Sequence, residues 1–494
     1  MTRGDMGRVG VERVEGWGMA VGSTGRVVRP HSIDQLRAAL AEARAEGTTL
    51  APRGTGCSYG DASTSRTGWV LDLTRMNGVH DFDATTGIAD LEAGVSIRQL
   101  WRTALPQGWW PKVVSGTMFP TVAGAAGMNI HGKNNFKVGT FGDNVLELDL
   151  LLASGELVTC SREQHADLFH AAIGGFGMLG IITRVKTRTT RIHSGDVKVK
   201  GISCHDLGEM MEYMDAHTGV ADYLVGWVDA FARDESLGRG LIHHADYLEE
   251  GEDDDPGRTL TLAHQDLPTS ILGVPKGEVW RALRLFNHDA GMRLMNAVKQ
   301  VAGRMEEWKG YYRQSHAAFN FLLDYVPDWK YAYSRRAGEG LIQYQAFLPK
   351  ERAHEGFRRL FEEGHRSGHV PFLGVLKRHR PDPFWMTHAL DGWSMAMDLK
   401  VSAANRESLW ATCRRFSEIC LDVGGRFYFA KDLVISPDVA RRSFPPDRLE
   451  AFLALKTEVD PDGLFSTDLW RRVFEGDPDG TSHGPVAGPG RASA

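Results

Sequence analysis

The stretch GGFGMLGIIT, residues 174–183, decides how the chain is to be read. Residues 175–180 match the pattern GxGxxG, which marks a dinucleotide-binding turn only when a strand enters it and a helix leaves. Here the order is reversed. The preceding HADLFHAAIG has helical periodicity, and GIITRVKTRT behind it alternates as a strand. A second cluster, RGTGCSYGD at 53–61, is entered by a strand pattern, but no helix pattern follows. The Rossmann reading therefore fails at both places. Glycine keeps a physical use there, because its bare backbone approaches a pyrophosphate closely and offers several N–H groups at once. A third stretch, SGTMFPTVAGAAGMNIHGKN at 115–134, adds small residues and donors. One such loop is an ordinary tight turn, whereas three between Gly54 and Gly180 point to a large anionic cofactor.

Outward from these loops, residues 27–190 alternate short strand patterns with helices. Ser32 is placed to cap a helix carrying Leu36, Leu40 and Ala43, Asn77-Gly78 is a turn signal, Ser96 opens another helix, and VLELDLLLASGELVTC reads as a hairpin turning at Ser154-Gly155. The pattern changes near residue 195, where long helices alternate with strands whose two faces differ sharply. We expect a first region at 1–194, a separate substrate lobe at 195–423, a return to the first region at 424–475 around RFYFAKD, and a disordered Gly/Pro/Ser-rich tail at 476–494. The acidic run at 249–255 reads as a mobile surface loop.

Composition narrows the class. At 494 residues the chain has length for roughly two to four lobes of about 150 residues. With 42% hydrophobic and 24% charged residues and a net charge of −6, it has the make-up of a soluble globular protein and shows no basic stripe of the kind that binds nucleic acid. Neither a signal-peptide core nor an apolar run of about 18 residues is visible, so a cytoplasmic protein is expected, at most peripheral at the inner membrane face. No amphipathic, Lys/Arg-rich helix advertises membrane contact. The five cysteines are scattered and never form CxxC, and the histidines show no metal-ligand spacing, so neither disulfides nor a metal are expected. Cys413 and Cys420 lie seven apart, on what reads as a buried helix face.

Period-two reading of the middle strands collects polar side chains on single faces. In GLIQYQAFL, Gln343 and Gln345 point one way; in FLGVLKRHR, Lys377 and His379 do; in GWSMAMDL, Ser394, Ala396 and Asp398 do. Such a stripe is either wet or lines a site.

Together, RGTGCSYGD, the 115–134 stretch with its IHGKN, GGFGMLGIIT, LIQYQ and RFYFAKD stand in an order that resembles the vanillyl-alcohol-oxidase (PCMH) superfamily of FAD enzymes, and within it the decaprenylphosphoryl-β-D-ribose 2-oxidase family, from about residue 16 to 472. The resemblance implies a two-lobed α+β fold in which the first region and the C-terminal segment hold FAD, while an antiparallel sheet flanked by helices caps the isoalloxazine. It assigns cofactor contacts to Arg53, Gly54, Thr55, Gly56, Cys57, Ser58 and Tyr59, to Gly116, Thr117, Thr121, Gly124, Asn129, His131 and Lys133, to Gly177, Gly180 and Ile182, and to Lys431. Relatives that attach flavin covalently have histidine in RGxGHS. Cys57 stands there, so dissociable FAD is expected.

For chemistry the resemblance implies Lys431, Tyr428 and His131. A fixed ammonium at Lys431 would stabilise the negative charge that hydride transfer leaves at the flavin N1–C2=O edge. Tyr428 would accept or relay the alcohol proton, its acidity raised by Lys431. His131 and Lys133 form a proton-relay or substrate-phosphate pair, or fix the flavin loop. The sugar side is assigned to Lys133, Asn320, Gln343, Gln345, Lys377, Ser394 and Ala396. At three of these the family pattern is broken, since the resembled enzymes have tyrosine, asparagine and cysteine at positions 320, 394 and 396. The implied activity is oxidation of a secondary alcohol of a polyprenyl-phosphoryl pentose to the ketone, with a short-chain reductase partner completing an epimerisation. Two alternatives stay open: a soluble alditol or sugar-lactone oxidase using dioxygen, and a non-catalytic FAD-binding subunit.

Overall fold

The computed structural model describes residues 5–475 except 272 and 335; the tail expected to be disordered lies outside the described residues. The fold is α+β and two-lobed.

Two sheets build the first lobe. In the four-stranded sheet, Arg8–Glu15 and Gly22–Arg29 form an antiparallel pair, and Trp69–Asp72 lies parallel to both Gly22–Arg29 and Leu50–Arg53. A parallel pair needs a crossover. The Ile33–Ala45 helix is part of it, capped by the Ser32 side chain on the Gln35 N–H and burying Leu36, Leu40 and Ala43. The second sheet places the long Ile181–Arg191 strand between Ile88–Glu92 and Val145–Leu151. The Ala166–Ala172 helix thus precedes the 174–180 glycines and a strand follows them, as the inverted order required.

The second lobe is an eight-stranded sheet in which Leu373–His379 pairs with Gly392–Val401 and the latter with Gly340–Pro349, all antiparallel. Among the helices beside it, Arg406–Asp422 buries Cys413 and Cys420. The edge strand Arg426–Phe427 pairs with Gly340–Pro349, so this sheet runs past the boundary expected at residue 423 before the chain crosses back. The return is recorded in hydrogen bonds: Leu50 N–H donates to Leu464 O at 2.7 Å and Ser466 N–H to Leu50 O at 3.1 Å.

The acidic run at 249–255 is not the free loop its charge suggested. Asp253 accepts from Thr259 and the buried Ser194 hydroxyl, Asp255 caps the short Pro256–Thr259 helix, and Glu252 pairs with Lys198 at 2.9 Å. These hydroxyl and ammonium donors hold the carboxylates, and Asp253 and Glu252 lie below the usual carboxylate pKa range. Among the described residues no helix is long and apolar enough to cross a membrane.

Candidate active site

Between the glycine loops and the polar face of the eight-stranded sheet lies a cavity of about 400 Å³. The loops are held by their neighbours' backbones: Tyr59 N–H donates to Ala430 O at 2.8 Å, and Trp17 N–H to Ser58 O at 2.8 Å. Gly60 has no room for a side chain, since a Cβ there would stand 1.8 Å from the Asp432 carbonyl oxygen. That close approach brings the 53–61 loop against the segment carrying Tyr428 and Lys431.

All residues of the first loop singled out in the sequence, Arg53, Gly54, Thr55, Gly56, Cys57, Ser58 and Tyr59, line the cavity. So do Gly116, Thr117, Thr121, Gly124, His131 and Lys133, then Gly177, Gly180 and Ile182, and finally Asn320, Gln343, Gln345, Lys377, Ala396, Tyr428 and Lys431. Two of the expected residues stand outside the lining. Asn129, at φ 45°, is buried and uses its amide on structure, accepting from Gly142 N–H at 3.0 Å and donating to Asp382 at 2.8 Å. Ser394 sits behind the sheet's front layer, its hydroxyl 3.1 Å from the Gln345 amide and 2.7 Å from His379 Nε2. Arg53 faces the cavity, yet its guanidinium serves the backbone, donating to Ser63 O and Glu15 O.

The lining fits an FAD-sized anion on two observations. A Cβ on Gly116 or Gly127 would approach other protein atoms no closer than 3.4 and 3.9 Å, so the missing side chains leave space on the cavity side. Tyr59 Oη and His131 Nδ1 are buried and have no hydrogen-bond partner among the described residues, so each can serve a bound group.

Electrostatics sharpen the picture. The lining contains Arg53, Lys133, Lys299, Lys377 and Lys431 and, among the described residues, neither aspartate nor glutamate. Burial pulls Lys377 down to about 8 and, with Lys377 as a second cause, Lys133 down to about 7. Lys133 donates to Phe319 O and lies over that residue's ring at 4.2 Å. Lys431 stands 3.7 Å above the centre of the Tyr59 ring. Burial lowers its pKa, Asp398 opposes the shift and Lys377 adds to it. Asp398, raised by burial, accepts from the Gln343 amide. His131 is held well below its ordinary value by burial and by the cations around it, so it is neutral. With its Nε2 3.1 Å from the Gln345 amide, Nδ1 is left to carry the proton.

Tyr428 does not have the cation expected for it. Lys431 is committed to Tyr59, and burial alone pushes the Tyr428 phenol far above its usual value. Its neighbours are the rings of His388 at 4.4 Å and His131 at 5.2 Å. A buried phenol without a counter-charge keeps its proton.

Among the lining residues that the sequence did not single out are two tryptophans, a histidine and a lysine. Trp17 packs on Tyr59 at 4.8 Å, Trp227 lies under the Lys299 ammonium at 4.5 Å, and His243 is held down to about 4 by burial and by Lys299 and Lys133. Alternation along GLIHHADY separates His243 from His244, which bonds Tyr213 on the opposite face, and could have drawn attention to His243. Nothing local marks Lys299, whose place is set by how its helix packs.

Comparison with known proteins agrees with this architecture. A family profile described as FAD binding domain matches residues 24–161. Decaprenylphosphoryl-beta-D-ribose oxidase of Mycolicibacterium smegmatis is 30% identical over 482 residues, covering 94% of this chain and 97% of its own. D-arabinono-1,4-lactone oxidase of Yarrowia lipolytica is 31% identical over 34% of this chain and 32% of its own. Cytokinin dehydrogenase 7 of Oryza sativa is 37% identical over 28% of this chain and 27% of its own.

Proposed function

Because this chain belongs to the vanillyl-alcohol-oxidase (PCMH-type) family of FAD-dependent oxidoreductases, we propose that it oxidises a secondary alcohol of a phosphorylated sugar, a polyprenyl-phosphoryl pentose being the substrate that fits best. The observation that carries this reading is the cationic lining: Lys133, Lys299 and Lys377 beside His243, with no carboxylate to oppose them among the described lining residues. A neutral alditol or lactone has no use for such a field, whereas a phosphodiester is drawn into it. The relative with the decaprenylphosphoryl-ribose name matches along nearly the whole chain, while the lactone oxidase matches over about a third. That pattern favours the lipid-linked sugar.

When bound, the isoalloxazine supplies the hydride acceptor. The protein's part is positioning and proton handling. Lys431, drawn toward neutrality by burial, takes the hydroxyl proton at Nζ as the carbinol C–H bond gives up its hydride, leaving a C=O. The ammonium so formed would offset negative charge gained by a group bound in the cavity. Gln343 and Gln345 orient the sugar. Lys133, Lys299 and Lys377 hold the phosphate arm, which brings the 2-hydroxyl of a ribose toward Lys431. FAD is held without a covalent bond, since cysteine occupies position 57. A short-chain reductase acting on the 2-keto product completes the epimerisation. Asn320 and Ala396, smaller than the tyrosine and cysteine of the resembled enzymes, widen the sugar side.

The test is anaerobic bleaching of the flavin absorbance by polyprenyl-phosphoryl ribose, alditols and sugar lactones. Bleaching by the lipid-linked sugar alone is expected. Bleaching by the neutral polyols or lactones and not by the phosphorylated sugar overturns the reading.

A further inference from the structure

The Asp289–Lys309 helix is turned the opposite way from an ordinary surface helix. Its buried residues are Gly291, Asn296, Gln300 and Gly303, and the inward amides are bonded, Asn296 to Asp229 at 2.7 Å and Gln300 to Ser203 at 3.0 Å. Gly303 lets the helix sit directly on Leu241, where a Cβ would meet that side chain at 2.2 Å. The apolar residues look outward. Leu294, Val298, Val301, Met305 and Trp308 follow one another at spacings of four and three, one continuous stripe, and are 56–96% exposed. The preceding Val279–Phe286 helix adds Leu285 at 73%. An amphipathic helix in a globular protein buries its apolar stripe, and an exposed stripe of this length marks a surface that meets something apolar.

Charge indicates what that is. Residues 276–309 carry seven Lys/Arg against four Asp/Glu, a net +3 in a chain of net −6. Arg304 and Lys309 flank the stripe on either side, the arrangement of an interfacial helix whose cationic side chains reach anionic headgroups while its apolar face enters the acyl boundary. The same helix carries Lys299, which turns from this surface into the cavity, and Leu322 on the cavity wall is itself 46% exposed. One helix thus carries both the apolar surface and a residue of the cavity lining.

We propose that the outward face of the Asp289–Lys309 helix, with the end of the Val279–Phe286 helix, docks the enzyme on a bilayer containing anionic phospholipid. The helix lies in the plane of the interface, so the cavity opens at headgroup level. The proposal departs from the expectation that no helix advertises membrane contact. Docking rests on the helix surface alone; that it delivers a lipid-linked sugar rests on the function proposed above.

Co-sedimentation of the FAD-loaded full chain with vesicles of phosphatidylcholine, alone or mixed with phosphatidylglycerol, tests docking. We expect pelleting with the mixed vesicles that weakens with salt, and at least about a tenfold lower partition for the double variant Val301→Glu/Met305→Glu, whose flavin spectrum and melting point stay those of the parent. No pelleting, or equal pelleting of parent and variant, overturns the proposal. So does a dimer in sedimentation velocity that the double variant dissolves, because the stripe would then be covered by a second copy of the chain. If the vesicles bind but no lipid-linked sugar bleaches the flavin, docking stands and the substrate reading falls.

Discussion

Lys431 concentrates the chemistry, because it is a buried amine over the Tyr59 ring whose pKa burial lowers and Asp398 holds up. Replacing it with methionine keeps the side-chain length and removes the charge and the basic nitrogen. Lys431→Met is expected to retain FAD and to slow flavin reduction by substrate by about 10²–10³-fold, the size of effect seen when a preorganised transition-state group is lost. Stopped-flow reduction at saturating substrate decides it, and undiminished reduction removes Lys431 from the mechanism. Lys133 and Lys377 make a separate prediction through pH. Both are depressed, to about 7 and about 8, and both bind an anion only as ammonium. Their protonated fractions fall as pH rises through those values. KM for a phosphorylated substrate therefore climbs above pH 7–8 while KM for a neutral alcohol stays level, and a flat profile for the phosphorylated substrate counts against the phosphate arm. Lys133→Met is expected to raise that KM by about 10- to 100-fold, the loss of one hydrogen bond to a charged group.

At the scale of elements, register explains which expectations reached the cavity. Pairing of Gly340–Pro349 with Gly392–Val401 puts Gln345 opposite Ala396 and Gln343 opposite Asp398, so alternation in the sequence was enough to collect those side chains on one face. Alternation says nothing about depth, and Ser394, on that face, ends under Gln345. Spacing failed in a similar way for Tyr428 and Lys431. Three residues apart suggested a pair, but the chain turns between them, Lys431 N–H bonding Tyr428 O, and the ammonium goes to Tyr59 from the distant first loop. Asn129 looked like one more donor of a glycine-rich loop, whereas its positive φ and two amide bonds make it the brace of that loop. The glutamine strand also carries a stability prediction. Gln345 connects the sheet to His131 and to Ser394, both buried. Gln345→Leu leaves those groups without that partner and should cost about 1–3 kcal/mol in urea unfolding followed by flavin fluorescence. An unchanged midpoint would show that the bridge carries no net energy.

For the whole molecule, the C-terminal segment and the first glycine loop meet at one buried side chain. Arg472 donates to both oxygens of Asp61 at 2.8 and 2.9 Å, to Asp432 at 2.9 Å and to the Ile435 carbonyl at 2.6 Å, and all three charged groups are nearly without solvent contact. Asp61 closes the first glycine loop and Asp432 follows Lys431, so this one guanidinium sets the C-terminal segment against the cofactor loop. Nothing local in the sequence marks Arg472, because its partners lie 411 and 40 residues away. Desolvation makes the triad costly to break, since removing the cation leaves two carboxylates buried with no opposite charge. Arg472→Leu is therefore expected to lower stability by about 3–5 kcal/mol and to loosen FAD, while Asp432→Asn, which keeps an acceptor for the guanidinium, does less. Thermal unfolding with and without added FAD separates the effects. If Arg472→Leu melts with the parent and holds FAD as well, the join between the C-terminal segment and the first lobe does not depend on this triad, and the strand-edge hydrogen bonds from Leu50 to residues 464–466 must carry it instead.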